Sequence, residues 1–265
     1  MIAGVGPGVG ATGGNMHVSS AEVQRIVARA LRIGGATLNE IAVNNIEAAS
    51  ISGISEVVTL AATNPGGKVR FQTTRSTFSS LAVVADDGII VQQDVVASYG
   101  SLYLDSDIHG TNVVNDTNSV TISDQKSLVA STVITLKSLT GSVHRLGSLT
   151  LAGGMGIVIA DDLTSAVKYA KPLVLHADTI ASETSKGALT VSTGATVQAN
   201  YNDMLITAYD IDLNGGVSTQ PTPGANSDNS NIGGEHNKNI PFTFNIITAA
   251  SAGAADVDGN NVNGD

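Results

Sequence analysis

The sequence predicts an all-β protein, a parallel β-helix (β-solenoid) with a short N-terminal helical cap. The first indication is an imperfect internal repeat of short alternating segments, which is typical of stacked repeat architectures. The matched segments are residues 58–71 with 134–146, residues 81–95 with 149–163, and residues 102–107 with 173–178. The offset between partners drifts along the chain, so insertions fall between the matches rather than inside them.

Composition gives the second indication. Hydrophobic residues make up 42% of the chain, but it contains only four Phe, five Tyr and no Trp. The interior must therefore be filled with Val, Ile, Leu and Ala, small side chains that suit the thin layers of stacked strands.

The pattern of residues after position 40 gives the third indication. Short alternating runs, such as Leu102 and Leu104 against Tyr103, are separated by Gly, Asn, Asp or Ser. At roughly 20–25 residues per coil, residues 40–218 would form about seven or eight coils. The alternative is an antiparallel β-sandwich, with Asp87-Gly88 and Asn214-Gly215 as its hairpin turns.

The N-terminal part divides into a flexible glycine-rich arm (1–15) and a cap segment (16–39). Within the cap, residues 19–33 carry a capping serine and helical spacing of apolar residues, which favours a helix. The rival interpretation is a strand over the second half of this segment. Gly6, Gly8 and Ala11 also match G-x-G-x-x-A, although no acidic residue follows at the distance that a dinucleotide site requires.

The C-terminal part divides into a polar linker (219–239), a late strand (240–254) and an acidic tail (255–265). The linker combines prolines with Gly, Asn and Ser. The late strand alternates around its Phe residues and either folds back on the rod or pairs with another copy. We expect the arm and the late strand to become ordered only on assembly.

Three runs carry a resemblance to a known group of proteins: GALTVSTGATVQA (187–199), GSLTLAGGMGIVIADDLTS (147–165) and LITAYDIDLNGGVST (205–219). They resemble filamentous-haemagglutinin-type solenoids and the large repetitive surface proteins predicted in bacteria and microbial algae. The resemblance covers roughly residues 40–219 and implies a right-handed parallel β-helix used in adhesion or extended surface structure. It implies no catalytic or binding residue.

Charge excludes some partners. The net charge is −10 with only 13 Lys and Arg, which argues against nucleic acid and against an anionic membrane surface. No apolar run is long enough for a membrane span, and the N-terminus lacks a signal-peptide pattern. The chain contains no Cys, so disulfides and thiolate metal sites are excluded.

A weak calcium candidate lies in the tail, where Asp256, Asp258 and Asn260 take positions 1, 3 and 5 of a calcium loop. The loop lacks its Gly and its closing Glu, so a tail without a bound ion is the simpler interpretation. We predict no other cofactor. Asn115 heads the one glycosylation sequon.

Carboxylates near strand ends give a second candidate. In a β-helix they would align in columns, and such a column could bind calcium or serve a polysaccharide lyase with a basic residue. The acidic residues are Asp86, Asp87, Asp94, Asp105, Asp107, Asp161 and Asp162, and the bases are Lys68, Arg70, Arg75 and Arg145. Carboxylates that cap turns are the commoner explanation. None of the five His forms a zinc-site spacing.

The leading functional hypothesis is a non-enzymatic structural protein of an extracellular or cell-surface filament or adhesin assembly. Its partners would be copies of itself, stacked head to tail. The alternative is a module that binds glycans or other surface proteins along the flank of the rod, which an exposed line of Tyr99, Tyr103, Tyr169 and Tyr201 would support. A calcium-dependent polysaccharide lyase or hydrolase is the third hypothesis.

Overall fold

The computed structural model describes residues 8–11, 17–110, 118–180, 186–219, 244–248, 254–255 and 261–262. The first elements are β1 (Gly8–Ala11), β2 (His17–Ser19), the helix α1 (Ser20–Val23), β3 (Ala28–Gly35), β4 (Glu40–Asn44), a 3₁₀ helix (Ala48–Ile51), β5 (Ile54–Ala62), β6 (Lys68–Gln72), β7 (Ser76–Phe78), β8 (Leu81–Ala85), β9 (Ile89–Val91), β10 (Val95–Ala97), β11 (Leu102–Asp105), β12 (Val120–Ile122) and β13 (Lys126–Ala130). The chain continues with β14 (Val133–Lys137), β15 (Val143–Arg145), β16 (Leu149–Gly153), β17 (Gly156–Ile159), β18 (Leu163–Ser165), β19 (Leu173–His176), β20 (Ala188–Val191), β21 (Thr196–Gln198), β22 (Met204–Ala208), β23 (Asp210–Leu213), β24 (Gly216–Ser218), β25 (Phe244–Thr248), β26 (Ala254–Ala255) and β27 (Asn261–Val262).

These strands form three long sheets, which the chain visits in a fixed cycle. Sheet B has the order β3-β5-β8-β11-β14-β17-β20-β23, sheet A the order β2-β1-β4-β6-β9-β12-β15-β18-β21-β24, and sheet C the order β7-β10-β13-β16-β19-β22-β25. Each coil runs from sheet B through sheet A to sheet C, and every pairing from β3 to β25 is parallel. The fold is therefore a parallel β-solenoid, as predicted, and the sandwich alternative is wrong.

The eight strands of sheet B mark eight coils, which at about 4.8 Å per layer give a rod roughly 35 Å long. Its core consists of columns of aliphatic side chains in register. One column in sheet B comprises Leu60, Val83, Leu104, Leu136, Ile159 and Val191, all fully buried. The alternation seen in the sequence is thus the alternation between this core and the outer surface.

Only one of the three pairs of similar segments is a structural repeat, in which both members occupy the same sheets. Residues 58–71 and 134–146 both run from sheet B to sheet A and lie three coils apart. Residues 81–95 begin in sheet B, whereas their partner at 149–163 begins in sheet C; residues 102–107 and 173–178 differ in the same way. Sheets A, B and C all require the same kind of alternating aliphatic strand, so similarity between two short strands does not show which sheet each one belongs to.

The N-terminal end differs from the prediction. The helix expected over residues 19–33 is confined to Ser20–Val23, where Ser19 and Glu22 form a reciprocal capping box. Residues 28–35 instead form β3, because Leu31 and Ile33 align with Val58 and Leu60 of β5 and give that strand a parallel neighbour. The arm is partly ordered within one chain, since Gly8–Ala11 pairs antiparallel with both β2 and β4.

The late strand also belongs to the rod. Phe244–Thr248 continues sheet C in parallel register with β22, with Ile246 next to Ile206. The arm and the late strand, which were expected to become ordered only on assembly, therefore both contribute a strand to the sheets of their own chain. In the 3₁₀ region of the first coil, Ala48–Ile51 stands where later coils place a strand of sheet C.

Candidate functional site

The acidic corner is the column of turns from sheet B to sheet A, and it contains the buried Asp86 and Asp107 and the half-buried Asp161. One Asp86 oxygen accepts from the Gly66 amide at 2.8 Å and the other lies 2.6 Å from Nδ1 of His109. Asp107 accepts from the Gly110 amide and, across the coils, from the Thr140 amide, both at 2.9 Å.

Other carboxylates of the rod follow the same rule. Asp161 accepts from the Ser138 amide of the preceding coil at 2.7 Å, and Asp162 from the Thr196 amide of the following coil at 2.8 Å. In the turns from sheet A to sheet C, Asp94 accepts from the Ser127 amide at 2.8 Å. These aspartates therefore accept from amides in the turns, or in the first residues of the strands, of adjacent coils. This agrees with turn capping, the simpler of the two interpretations.

A metal site does not follow from this column. No group of three or more His, Asp or Glu side chains converges in the part of the chain that the structure describes. Asp105 is buried and paired instead with a base: one oxygen accepts from Nζ of Lys137 and from the Tyr103 hydroxyl, both at 2.9 Å, and its other oxygen lacks a partner. Burial, followed by the Asp105 hydrogen bond, raises the pKa of Tyr103 to about 12.

The basic residues of the lyase hypothesis do not meet a common site. Lys68 pairs with Asp87 at 3.1 Å, and Arg70 pairs with Glu40 at 3.0 Å. Arg75 is exposed, whereas Arg145 is fully buried. The described residues thus offer no arrangement of a free base beside aligned carboxylates.

Arg145 is the polar residue whose environment the sequence indicated least well. It occupies a core position of sheet A, in register with Phe71, Val91 and Ile122 of the three coils below. Its guanidinium donates to the carbonyl oxygens of Gly147 at 2.7 Å, Lys171 at 2.8 Å and Ala199 at 2.7 Å.

These three carbonyls belong to the turns from sheet A to sheet C of three consecutive coils, so one side chain bonds three coils. We call this column of turns around Arg145 the arginine corner. Burial lowers the pKa of Arg145 to about 10, which leaves it charged at neutral pH. Asn202 completes the network, since its amide donates to the carbonyls of Val167 and Ala199 and its oxygen accepts from the Lys171 amide.

Two successive turns of the arginine corner share an unusual backbone. Tyr169 and Ala170 in one turn, and Asn200 and Tyr201 in the next, have φ between 51° and 61°. The two tyrosine rings lie 6.1 Å apart, and Nζ of Lys168 lies 5.4 Å from the centre of the Tyr201 ring. Left-handed backbone at non-glycine residues costs energy, and the buried Arg145 network holds it in place.

The tyrosines do not form one exposed line. Tyr169 and Tyr201 lie at the arginine corner, whereas Tyr99 lies at the corner between sheets C and B. Tyr103 lies in sheet B, and its hydroxyl donates to Asp105. Tyr99 is 82% exposed and Tyr169 is 45% exposed. The glycan hypothesis therefore loses the continuous aromatic stripe that would have supported it.

A groove of about 290 Å³ lies beside Tyr99, where the 3₁₀ helix replaces a strand. We call it the serine groove. Its floor is Ile51 and Ile54, both buried, and its rim carries Ser52, Ser79 and Ser98. No pattern in the sequence indicated it, because these serines lie far apart in the chain and meet only when coils stack.

The described histidines have local roles. His144 lies between the hydroxyls of Ser142, 2.7 Å from Nε2, and Thr164, 2.9 Å from Nδ1. His109 contacts Asp86 at the acidic corner, and His176 lies on the half-exposed outer side of β19. None of these three neighbours another histidine in a metal-binding arrangement.

The calcium candidate Asp256, Asp258 and Asn260 and the sequon at Asn115 lie outside the described residues. Gly8 and Ala11 of the glycine motif lie in β1, a strand paired on both sides. Their amides are therefore not arranged as a phosphate-binding loop before a helix, as a dinucleotide site requires.

Comparison with known proteins adds no relative: no protein-family model, no curated protein and no solved structure matches the chain. The class of protein, a parallel β-solenoid, follows from the sheet geometry alone. Within the described residues, none of the helices reaches the length and apolar character that a membrane-spanning helix requires.

Proposed function

We propose that this chain is a non-enzymatic structural protein, a rigid rod that contributes to an extended cell-surface or extracellular filament or adhesin assembly. The observation that carries the proposal is the use of the buried polar side chains: Asp86, Asp107 and Arg145 all bond neighbouring turns and coils. Side chains used in this way stabilise a long stack. The resemblance to filamentous-haemagglutinin-type solenoids favours the same role.

The ends of sheet A are suited to joining copies. β1 is antiparallel to both β2 and β4, so β2, the outermost strand at the N-terminal end, runs parallel to the rest of sheet A. At the other end β24 is the outermost described strand. Val18 of β2 continues the inward column of Val43 and Phe71. Val217 of β24 continues the neighbouring column of Ile41 and Val69, and both end residues are only partly buried.

We therefore place the joint between β24 of one copy and β2 of the next, in the register that keeps these columns continuous and sets Val18 beside Thr219. Such a head-to-tail contact does not close on itself and produces a filament. Sheet A extends two strands beyond β3 at the N-terminal end. The joint is consequently stepped, and β23 of one copy lies three strand spacings, about 14 Å, from β3 of the next.

Negative-stain electron microscopy and sedimentation velocity test this proposal. The wild-type chain should form rods whose lengths are multiples of one unit, growing with concentration. Val217→Asp should leave single rods, because a carboxylate cannot be buried in the joint without a partner. Leu139→Asp, a matched change at a 56% exposed residue on the flank, should assemble like wild type. Single rods of wild-type protein at every concentration would refute the proposal.

A further inference from the structure

We infer that the serine groove is a binding site for one ring of a neutral carbohydrate. This site lies on the corner between sheets C and B in the first coils, and none of the residues that line it belongs to β2 or β24, the strands of the proposed joint. The groove is open, and its volume of about 290 Å³ is at the lower limit of small-ligand sites, which start near ~300 Å³. It therefore suits a single ring of a longer chain rather than a whole cofactor.

The hydroxyl groups of the rim define the chemistry of the ligand. Ser52 Oγ donates to the Ala49 carbonyl at 2.9 Å, Ser79 Oγ to the Ile54 carbonyl at 3.3 Å, and Ser98 Oγ to the Phe78 carbonyl at 3.1 Å. Each hydroxyl has one proton, and here that proton is already used. These three hydroxyls offer lone pairs toward the groove, and the exposed Ser55 hydroxyl, which also lines it, can donate or accept. The ligand therefore needs groups that both donate and accept hydrogen bonds.

The charge and shape of the groove further restrict the class of ligand. None of the described residues that line it is charged, so neither an anionic nor a cationic ligand would find a counter-charge. Ile51 and Ile54 form an apolar floor, and the Tyr99 ring stands 82% exposed at the edge. A sugar ring combines hydroxyl donors at its rim with apolar C–H faces, and an exposed tyrosine ring offers a matching flat apolar surface.

The test is ligand-observed NMR and titration calorimetry on the full chain. The probes are hexaoses of β-1,4-glucan, α-1,4-glucan and α-1,6-mannan, with hexagalacturonate as the anionic probe and tetramethylammonium as the cationic probe. We expect at least one neutral hexaose to bind. We also expect Tyr99→Ala to weaken binding at least about tenfold, which corresponds to about 1.4 kcal/mol, and Tyr99→Phe to retain it.

Tyr169→Ala is the matched control, because it removes an exposed ring that lies at a different corner, and it should bind like wild type. Since Tyr99 is largely exposed, its replacement leaves the core intact, and unchanged unfolding midpoints would verify this. Absence of binding by all three neutral probes overturns the inference. So does equal binding by Tyr99→Ala, or a preference for hexagalacturonate or tetramethylammonium. Single rods in the microscope combined with sugar binding would refute only the filament proposal.

Discussion

The acidic corner and the arginine corner flank the same sheet and bury polar groups of opposite charge. At the acidic corner Asp86, Asp107 and Asp161 each satisfy one or two amides, mostly in one adjacent coil. At the arginine corner a single guanidinium satisfies three carbonyls in three consecutive coils. Through these amides each aspartate therefore reaches one neighbouring coil, whereas Arg145, with Asn202 beside it, bonds to the turns of three coils.

The largest effect should come from Arg145→Met, which keeps the bulk of the side chain but leaves three buried carbonyls without their donors. We expect a loss of about 3 kcal/mol in the free energy of unfolding, since each unsatisfied buried acceptor costs about 1–3 kcal/mol and part of this is relieved by relaxation. Urea denaturation followed by circular dichroism measures it.

Arg70→Met is the matched control, because Arg70 lies on the outer side of sheet A in a partly exposed pair with Glu40. Its loss should stay below about 1 kcal/mol. If both Arg variants are equally stable, Arg145 does not hold the coils together and the contrast between the corners disappears.

Asp107→Ala should have the second-largest effect, about 2 kcal/mol, because it removes the acceptor for two backbone amides, Gly110 and Thr140, and for the Thr140 hydroxyl. Asp107→Asn retains one acceptor oxygen and should lose about half as much. The readout is again the urea midpoint. An Asn variant less stable than the Ala variant would contradict the assignment of Asp107 as a turn cap.

Much of this architecture could be predicted from the residues. Alternation at Leu102 and Leu104, with Gly67 and Gly141 in the turns, indicated strands and corners. Both glycines lie where a Cβ would approach a backbone carbonyl within 2.6 Å. The sheet assignment of the segments at 81–95 and 149–163 could not be predicted, because sheets A, B and C present the same aliphatic environment to the chain.

Two other features could not be predicted from the sequence, each for a different reason. Residues 28–35 fit both the helical and the extended spacing, and only the unpaired edge of β5 decides for a strand. Arg145 continues one column of apolar residues, Phe71, Val91 and Ile122, but arginine is so rarely buried without a carboxylate that nothing in the sequence indicated a core position for it. The turn-capping aspartates, in contrast, were foreseen as the simpler interpretation of the acidic columns.

The smallest effect concerns Asp161, whose pKa is raised by burial. The folded chain therefore binds a proton at Asp161 more readily than the unfolded chain does. Its contribution to stability is fully present below the unfolded pKa and is lost as pH rises through the folded pKa.

Asp161→Asn cannot titrate, and its oxygen can still accept from the Ser138 amide. We expect the variant to be slightly more stable than wild type at neutral pH, with the difference vanishing in acid. Thermal melts across roughly pH 3 to pH 7 measure this. A difference that grows toward acid pH would contradict a raised pKa at Asp161.

Covalent capture of the joint tests the central claim of a head-to-tail rod most directly. The chain has no Cys, so His17→Cys combined with Ser218→Cys places one thiol on the outer side of each end strand, in the register that sets Val18 beside Thr219. The two thiols of one molecule lie at opposite ends of the ten-stranded sheet A, roughly 43 Å apart, and cannot bond to each other. Mild oxidation should produce a ladder of disulfide-linked oligomers on a non-reducing gel, and the His17→Cys variant alone should not extend beyond dimers. A double variant that remains monomeric under oxidation would contradict the end-to-end assembly.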